Sequence, residues 1–168
     1  MAPRWFYNLS LAIHRVEPMH YLAGATVYSG FLYSVGYSYQ ALVFFTTMVA
    51  VLGVVGALKV LTSVERPTDC RVHMTRTDRA FPSGHVAAAA HIAAMVPYTF
   101  PYSAAPLPFW LVVGVLTTFV LIVALSRLTL RVHTLVQVLA GLSIGVAVPL
   151  AMTLYIDLPF VFWLLVQI

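Results

Sequence analysis

The chain has 168 residues, of which 61% are hydrophobic and only 8% are Asp, Glu, Lys or Arg. A water-soluble domain of this length could not bury so large an apolar fraction, so the composition excludes a soluble enzyme and indicates an integral membrane protein. The length leaves room for about five spanning helices of about 20 residues each. We therefore predict an all-α, multi-pass bundle in which residues 1–168 form one membrane-embedded domain.

An amphipathic segment comes before the first apolar run. In residues 4–16 aromatic, polar and aliphatic side chains alternate, and Trp5, Leu9 and Ile13 fall near one helical face. The segment is too short and too polar to span a bilayer, and its pattern is typical of a helix that lies in the membrane interface. We expect an N-terminal interfacial helix here, with His14 in the same interfacial setting.

Five apolar runs follow, and they predict five spans. They cover residues 19–36, 40–61, 83–97, 109–125 and 133–155. The third run would be only about 22 Å long at 1.5 Å per residue, so its start should lie below the membrane surface. Gly53 and Gly56 in the second run permit close helix packing. Gly141 and Gly145 do the same in the fifth. Residues 159–168 are too few to span, so they are expected to be interfacial, re-entrant or packed against the bundle.

Positive charge falls on one side of this topology. All nine Lys and Arg residues lie in or beside the N-terminal helix, the loop at 62–80 and the turn at 126–133. The opposite side carries tyrosines, which suit a membrane interface, whereas a positive bias is typical of the cytoplasmic side. On charge alone, the side that carries the cations is therefore expected to face the cytoplasm.

Three polar clusters converge on that same side. They are Lys59 with Arg66-Pro67 after six intervening residues, Pro82-Ser83-Gly84-His85, and Ser126-Arg127 with His133 after five. Two arginines, a lysine and the free N–H groups of a helix start make a phosphate clamp, because guanidinium groups match phosphate oxygens. The two histidines are a candidate nucleophile and a candidate proton donor. Each cluster alone has a plainer explanation in charge bias or core packing, but their joint occurrence by chance is below about 1%.

The second cluster opens the third apolar run. Pro82 suits the first helical position, and Ser83 can cap the helix or donate from its first turn. Gly84 lets a ligand approach the backbone closely, and His85 places an imidazole beside the bound anion. A proline-initiated helix with a buried histidine would have the same tetrapeptide, so the other two clusters decide the interpretation.

These clusters resemble the signature of the type-2 phosphatidic acid phosphatase superfamily, which includes lipid phosphate phosphatases, glucose-6-phosphatase and the vanadium haloperoxidases. The resemblance covers residues 59–137. It implies that His133 attacks phosphorus to form a phosphohistidine and that His85 protonates the leaving oxygen. It also implies that the phosphate is bound by Lys59, Arg66, Ser83, Gly84 and Arg127. The resemblance to the phosphatases of this family implies no metal or other cofactor, and the sequence offers no cluster of carboxylates and histidines for one.

One position departs from the family pattern. The family usually has an aspartate four residues after the nucleophile, on the same helix face, and here that residue is Gln137. A glutamine carbonyl can accept the Nδ1 proton of His133 and orient the ring, but it carries no charge. The run from His133 to Val138 is similar to that of eukaryotic dolichyl diphosphatases, which also have glutamine there. This similarity favours a polyprenyl diphosphate as the substrate.

The residues and the resemblance together predict a membrane lipid phosphatase. Its partners would be a lipid phosphate or diphosphate and the bilayer, with no nucleic acid. Two alternatives stay open: a phosphatase for phosphatidic acid or phosphatidylglycerophosphate, and a catalytically silent protein that binds phospholipid headgroups. In bacterial and endoplasmic-reticulum relatives the active site generally faces away from the cytoplasm, whereas the charge bias predicts a cytoplasmic site. The side of the membrane therefore stays open. The oligomeric state stays open as well.

Three further histidines receive structural interpretations. His91 follows His85 by six positions and lies on a different helix face, so we expect a packing or hydrogen-bonding residue. His20 and His73 are expected in interfacial or loop settings.

Overall fold

The computed structural model describes residues 3–72, 79–103 and 107–166, with only the backbone for residue 18 and for 156–166. The described residues form six α-helices and no strand, which confirms the predicted all-α class with one N-terminal helix before five others. The helices are α1 Arg4–His14, α2 Pro18–Ser34, α3 Ser38–Thr62, α4 Gly84–Thr99, α5 Phe109–Thr129 and α6 Leu135–Val166.

The helices differ in their capacity to cross a bilayer. Within the described residues α3, α5 and α6 are long and apolar enough to span a membrane. Helix α2 has 17 residues and α4 has 16, so each is only about 25 Å long at 1.5 Å per residue. The expectation that the third predicted span is short is therefore confirmed.

Helix α4 is the centre of the bundle. Its residues 86–91 are all buried, so other helices surround it, and its alanines let those helices approach closely. Three apolar clusters meet on α4, one with α2 and α3, one with α3 and α6, and one with α5 and α6. Because His85 lies in the first turn of α4, its imidazole is placed inside one end of the bundle.

Two glycines of α6 allow its close contact with α4. A Cβ atom on Gly141 would lie 2.5 Å from the carbonyl oxygen of Ser83, and one on Gly145 would collide with the carbonyl oxygen of Ala87. The predicted close packing at these two positions is confirmed. At Gly53 and Gly56 of α3 the same prediction is wrong, because a Cβ atom there would meet nothing within 4 Å.

Three predicted helix bounds are also wrong. Ser83 is the N-cap of α4, so Pro82 precedes the helix, and Pro97 lies inside the helix, which ends at Thr99. Helix α6 continues to Val166, whereas the fifth predicted span ends at residue 155. A proline removes only one backbone hydrogen bond, and helices in a membrane tolerate that loss when the remaining bonds persist.

The N-terminal helix is more than an interfacial segment. Trp5 is 68% exposed, as expected for the outer face of an amphipathic helix. Ser10, in contrast, is fully buried, and Ile13 packs against the cluster between α4, α5 and α6, although the sequence pattern placed Ile13 near the face of Trp5. Helix α1 therefore packs on α5 and covers the end of the bundle in which His85 lies.

The remaining histidines follow their local surroundings. His91 is fully buried, and its Nε2–H donates to the Thr47 hydroxyl at 2.8 Å, because that hydroxyl itself donates to the Val43 carbonyl at 2.7 Å. The predicted hydrogen-bonding role of His91 is confirmed. His20 is exposed at the start of α2, where its Nδ1 accepts the Glu17 N–H at 3.0 Å, and His73 lies outside the described residues.

Candidate active site

The second and third clusters are joined directly by the backbone. The N–H of Ser83 donates to the backbone carbonyl of Gln137 at 3.1 Å. Gly141, one turn further along α6, leaves room for the Ser83 carbonyl. The N-terminal ends of α4 and α6 are therefore locked together, and the residues that precede and open each helix lie side by side.

A capping box at the start of α6 fixes the orientation of Gln137. The backbone N–H of Thr134 donates to Gln137 Oε1 at 3.0 Å, and the N–H of Gln137 approaches Thr134 Oγ1 at 3.4 Å. This is the reciprocal arrangement typical of a Thr-x-x-Gln sequence at a helix start. Because a backbone N–H requires an acceptor, the side-chain atom that faces Thr134 must be the amide oxygen.

The same oxygen orients His133. Its Nδ1 lies 3.2 Å from Gln137 Oε1, and an oxygen of this kind can only accept, so Nδ1 carries the proton. Nε2 then holds the lone pair that a nucleophile needs. The imidazole is only 4% exposed, and Gln137 is only 5% exposed, so water does not compete for this bond.

The loop after α3 docks on the turn between α5 and α6. Arg66 Nη1 donates to the carbonyl of Val132 at 3.1 Å, and the N–H of Arg71 donates to the carbonyl of Leu130 at 2.9 Å. These two bonds place the Arg66 guanidinium beside the turn that carries His133.

A second arginine caps the helix that carries Lys59. Arg79 Nη1 donates to the carbonyl of Lys59 at 3.2 Å and to that of Val60 at 2.7 Å. Side-chain cations at a helix C-terminus satisfy carbonyls that lack a partner within the helix. The end of α3 is thereby tied to the chain that leads into Ser83.

Arg127 is the most deeply buried cation of the site, with 1% of its surface exposed. Its Nε donates to Ser126 Oγ at 3.1 Å. Its two outer nitrogens reach α1: Nη1 donates to His14 Nδ1 at 3.3 Å, and Nη2 approaches the Ser10 carbonyl at 3.4 Å. The guanidinium is thus held between its own helix and the N-terminal helix.

His85 is held by the chain between α1 and α2. Its Nε2 lies 2.5 Å from the carbonyl oxygen of Val16, and since a carbonyl can only accept, Nε2 carries a proton. The ring also meets the edge of Tyr21 at 6.0 Å and stacks with His14 at 6.5 Å between centroids. A fixed Nε2–H leaves Nδ1 as the nitrogen that can take up a second proton.

Ser83 and Gly84 lie at the opening of α4. Ser83 is fully buried, and its hydroxyl makes no hydrogen bond, so the prediction that the side chain caps the helix is wrong. A Cβ atom on Gly84 would lie 3.5 Å from Val55, an ordinary contact, so protein packing alone does not require glycine. Both observations leave Ser83 Oγ and the first N–H groups of α4 available for a ligand.

The cations act on both histidines. Burial, and after it the charge of Arg66, lower the pKa of His133 from 6.5 to about 3, with smaller contributions from Lys59 and Arg127. The hydrogen bond to Gln137 opposes this shift. His133 is therefore a neutral imidazole at neutral pH. Lys59 and Arg127 also interact electrostatically with His85, so the structure brings the three clusters together.

Sequence reasoning missed the contribution of the N-terminal segment. His14 was expected to be interfacial, yet its ring stacks with that of His85 and its Nδ1 accepts from Arg127. A signal was present, because Ser10 and His14 are four residues apart and form a polar stripe on one face of a short helix. Among the described residues, three or more metal-ligating side chains do not come together.

Comparison with known proteins identifies the family and the fold. A model of the PAP2 superfamily matches residues 40–159, which include all three clusters. The fold is also similar to the crystal structure of a transmembrane PAP2-type phosphatidylglycerolphosphate phosphatase from Bacillus subtilis, with a TM-score of 0.77 and 20% sequence identity over 94% of this chain and 79% of that chain. The search of curated proteins found no match. The family model covers well over half of the sequence, and the chain therefore belongs to the PAP2 superfamily.

Proposed function

We propose that this membrane lipid phosphatase hydrolyses a polyprenyl diphosphate through a phosphohistidine on His133. The observation that carries the proposal is the fixed imidazole of His133, whose Nδ1–H is held by Gln137 beside the guanidinium of Arg66. A neutral imidazole with a free Nε2 is the form of histidine that can attack phosphorus. Cations around it stabilise the charge that develops on the phosphoryl oxygens.

The reaction proceeds in two displacements. Before the first, Nδ1 of His85 takes up a proton from water. Nε2 of His133 then forms a bond to phosphorus while the bond from phosphorus to the leaving oxygen breaks, and His85 gives its Nδ1 proton to that oxygen. For a diphosphate, the leaving group is the lipid monophosphate. In the second, a water molecule gives a proton to His85 and attacks phosphorus, which breaks the N–P bond, releases inorganic phosphate and restores both histidines.

The phosphate site combines charge with a helix start. Arg66, Arg127 and Lys59 supply the positive charge, and guanidinium groups can bind two phosphate oxygens at once. The buried hydroxyl of Ser83 and the first N–H groups of α4 add uncharged donors. Gly84 belongs to that helix start, where the absence of a side chain allows close approach of an anion.

An apolar groove beside the site suits a lipid tail. It lies between α4, α5 and α6, has a volume of about 510 Å³, and is lined almost entirely by apolar side chains. Its wall includes Val86, which follows His85, and Leu135, two residues after His133. A hydrocarbon chain in this groove would keep the substrate in the bilayer while its phosphate reaches the cations.

Phosphatidylglycerophosphate is the second candidate substrate, favoured by the function of the Bacillus subtilis protein that shares the fold. Purified protein in detergent should be assayed for phosphate release from a polyprenyl diphosphate, phosphatidylglycerophosphate, phosphatidic acid and a soluble aryl phosphate. We expect the highest kcat/KM for the polyprenyl diphosphate and the lowest for the soluble ester. A higher kcat/KM for phosphatidylglycerophosphate would make that lipid the substrate in place of a polyprenyl diphosphate. No phosphate release from any of the four compounds would favour a catalytically silent headgroup binder.

The covalent step has its own test. Protein mixed with substrate labelled at the terminal phosphate and quenched in alkali should retain label, because phosphohistidine is stable in base and labile in acid. The His133→Ala variant should retain none. Equal labelling of parent and variant would overturn the phosphohistidine mechanism.

A further inference from the structure

Helix α1 lies outside the residues matched by the family model, yet it contacts two side chains of the site. The family match begins at residue 40, whereas α1 ends at His14 and the following turn contains Val16. His14 contacts both Arg127 and His85, and the Val16 carbonyl accepts from His85. His14 therefore links a proposed phosphate ligand with the proposed acid.

The guanidinium of Arg127 depends on α1 for its direction. A buried guanidinium must find acceptors, since an unpaired charge inside a protein is strongly unfavourable. Ser126 Oγ holds Nε, but both outer nitrogens turn to α1, to His14 Nδ1 and the Ser10 carbonyl. These contacts use three of the five N–H groups, so two remain for phosphate oxygens.

We propose that His14 is a positioning residue of the phosphate site, which sets the direction of the Arg127 guanidinium through Nδ1 and packs its ring against His85. This proposal rests on the proposed function, because it gives Arg127 the role of a phosphate ligand. To accept from Arg127, Nδ1 must carry the lone pair, so His14 is an imidazole protonated on Nε2. Its ring lies 6.5 Å from that of His85 with 25° between the planes, which limits movement of the acid as well.

The role differs from simple anchoring of α1. The helix is already held on the bundle by its buried Ser10 and by Ile13, which packs against the cluster of α4, α5 and α6. Loss of the Nδ1 acceptor should therefore leave α1 docked while Arg127 loses one of its two contacts with the helix. The expected defect is in phosphate binding and turnover, with little change in the folded state.

Two substitutions separate the acceptor from the ring. His14→Phe keeps a planar ring beside His85 but removes the acceptor. His14→Asn removes the ring but places an amide oxygen on Cγ, where Nδ1 is attached in histidine, so it can still accept from Arg127. Asn8→Ala is the matched control, since Asn8 is exposed on the same helix and Ala is a good helix former.

The full-length protein in detergent is titrated with inorganic phosphate by calorimetry, and kcat and KM are measured on the best lipid substrate. His14→Phe should bind phosphate about 10- to 100-fold more weakly, the effect of losing a hydrogen bond to a charged group, and should lower kcat/KM by at least as much. His14→Asn should keep phosphate affinity and kcat/KM within about threefold of the parent values, a smaller change than the loss of such a bond causes. Asn8→Ala should match the parent in both. His14→Ala, which also lacks the acceptor, should behave as His14→Phe and serves if the latter does not fold.

Two results would overturn the proposal. One is unchanged phosphate affinity in both variants that lack the acceptor. The other is an asparagine variant as defective as the phenylalanine variant, which would assign the effect to the loss of native packing. Because phosphate binding is measured without turnover, a parent protein that binds phosphate but hydrolyses no lipid would contradict the proposed function and leave this comparison of variants intact.

Discussion

The two histidines of the site are both fixed at one ring nitrogen, but by partners at very different distances along the chain. His133 is held at Nδ1 by Gln137, four residues later on the same helix. His85 is held at Nε2 by the carbonyl of Val16, 69 residues earlier. The free nitrogens are therefore opposite, Nε2 in His133 and Nδ1 in His85. In the proposed mechanism the first ring attacks phosphorus, and the second must first gain a proton on Nδ1 to act as an acid.

Substitution of the two histidines should separate these roles most strongly. His133→Ala should abolish turnover, because it removes the proposed nucleophile. His85→Ala should lower kcat by about 10²- to 10⁴-fold, the usual contribution of a positioned acid. Phosphate release measured over hours would distinguish the two variants. Substantial activity in His133→Ala would contradict the assignment, and equal losses would remove the distinction between attack and proton donation.

The partner of His133 should come next in effect. Gln137→Leu removes the acceptor of the Nδ1 proton and of the Thr134 N–H, so the ring loses its tautomer control and α6 its capping box. In serine proteases, loss of the corresponding orienting group lowers kcat by about 10⁴-fold. We therefore expect Gln137→Leu to lower kcat by no more than this factor. Gln137→Asn should lose far less, because its shorter amide can still accept. Turnover of the leucine variant equal to that of the parent would show that Gln137 does not orient His133.

The pH dependence should respond to charge at position 137. In the parent, burial and Arg66 lower the pKa of His133 to about 3, so the nucleophile stays neutral well below neutral pH. Gln137→Glu keeps the length and the capping box but adds a negative charge, which favours the imidazolium and raises that pKa. Since only the neutral ring attacks, the acid limb of the kcat/KM profile should move to higher pH in this variant. An unchanged acid limb would mean that this limb does not report on His133.

The contrast between the two histidines explains which parts of the site were predictable. The His133–Gln137 contact is a spacing of four on a helix, which the sequence displays directly. The Val16 contact depends on the packing of α1 and has no counterpart in local spacing. Helix α6 illustrates the same limit, because its apolar run past residue 159 is too short to span alone but continues an existing helix.

Glycine spacing in the sequence did not distinguish the two glycine pairs, because only the pair in α6 lies against another helix. Gly141→Ala would place a Cβ atom 2.5 Å from the Ser83 carbonyl oxygen, and backbone cannot rotate away as a side chain can. Overpacking of this kind costs about 1–3 kcal/mol in the free energy of unfolding, and separation of α4 from α6 should also lower kcat/KM. Gly53→Ala is the control, because nothing lies within 4 Å of its added Cβ. Thermal unfolding in detergent should show a lower Tm for the first variant only, and equal Tm values would argue against close α4–α6 contact.

The smallest effect on activity and stability is expected for an ion pair on the surface. Its two residues are about as far apart in the sequence as His85 and Val16. Arg131 and Asp69 form an ion pair across 62 residues, with about half of each side chain exposed. Exposed ion pairs contribute about 0.2–1 kcal/mol to stability and are weakened by salt. The loop that carries Asp69 is also held on the turn between α5 and α6 by two other hydrogen bonds, one of them from Arg66 to the Val132 carbonyl. Asp69→Asn should therefore leave kcat/KM within about twofold and Tm nearly unchanged, in low and high salt, because so weak a pair is partly screened already. Since the Val16 and Asp69 contacts are both long-range, a large defect in this variant would show that distance along the chain, and not burial, determines which contacts the site depends on.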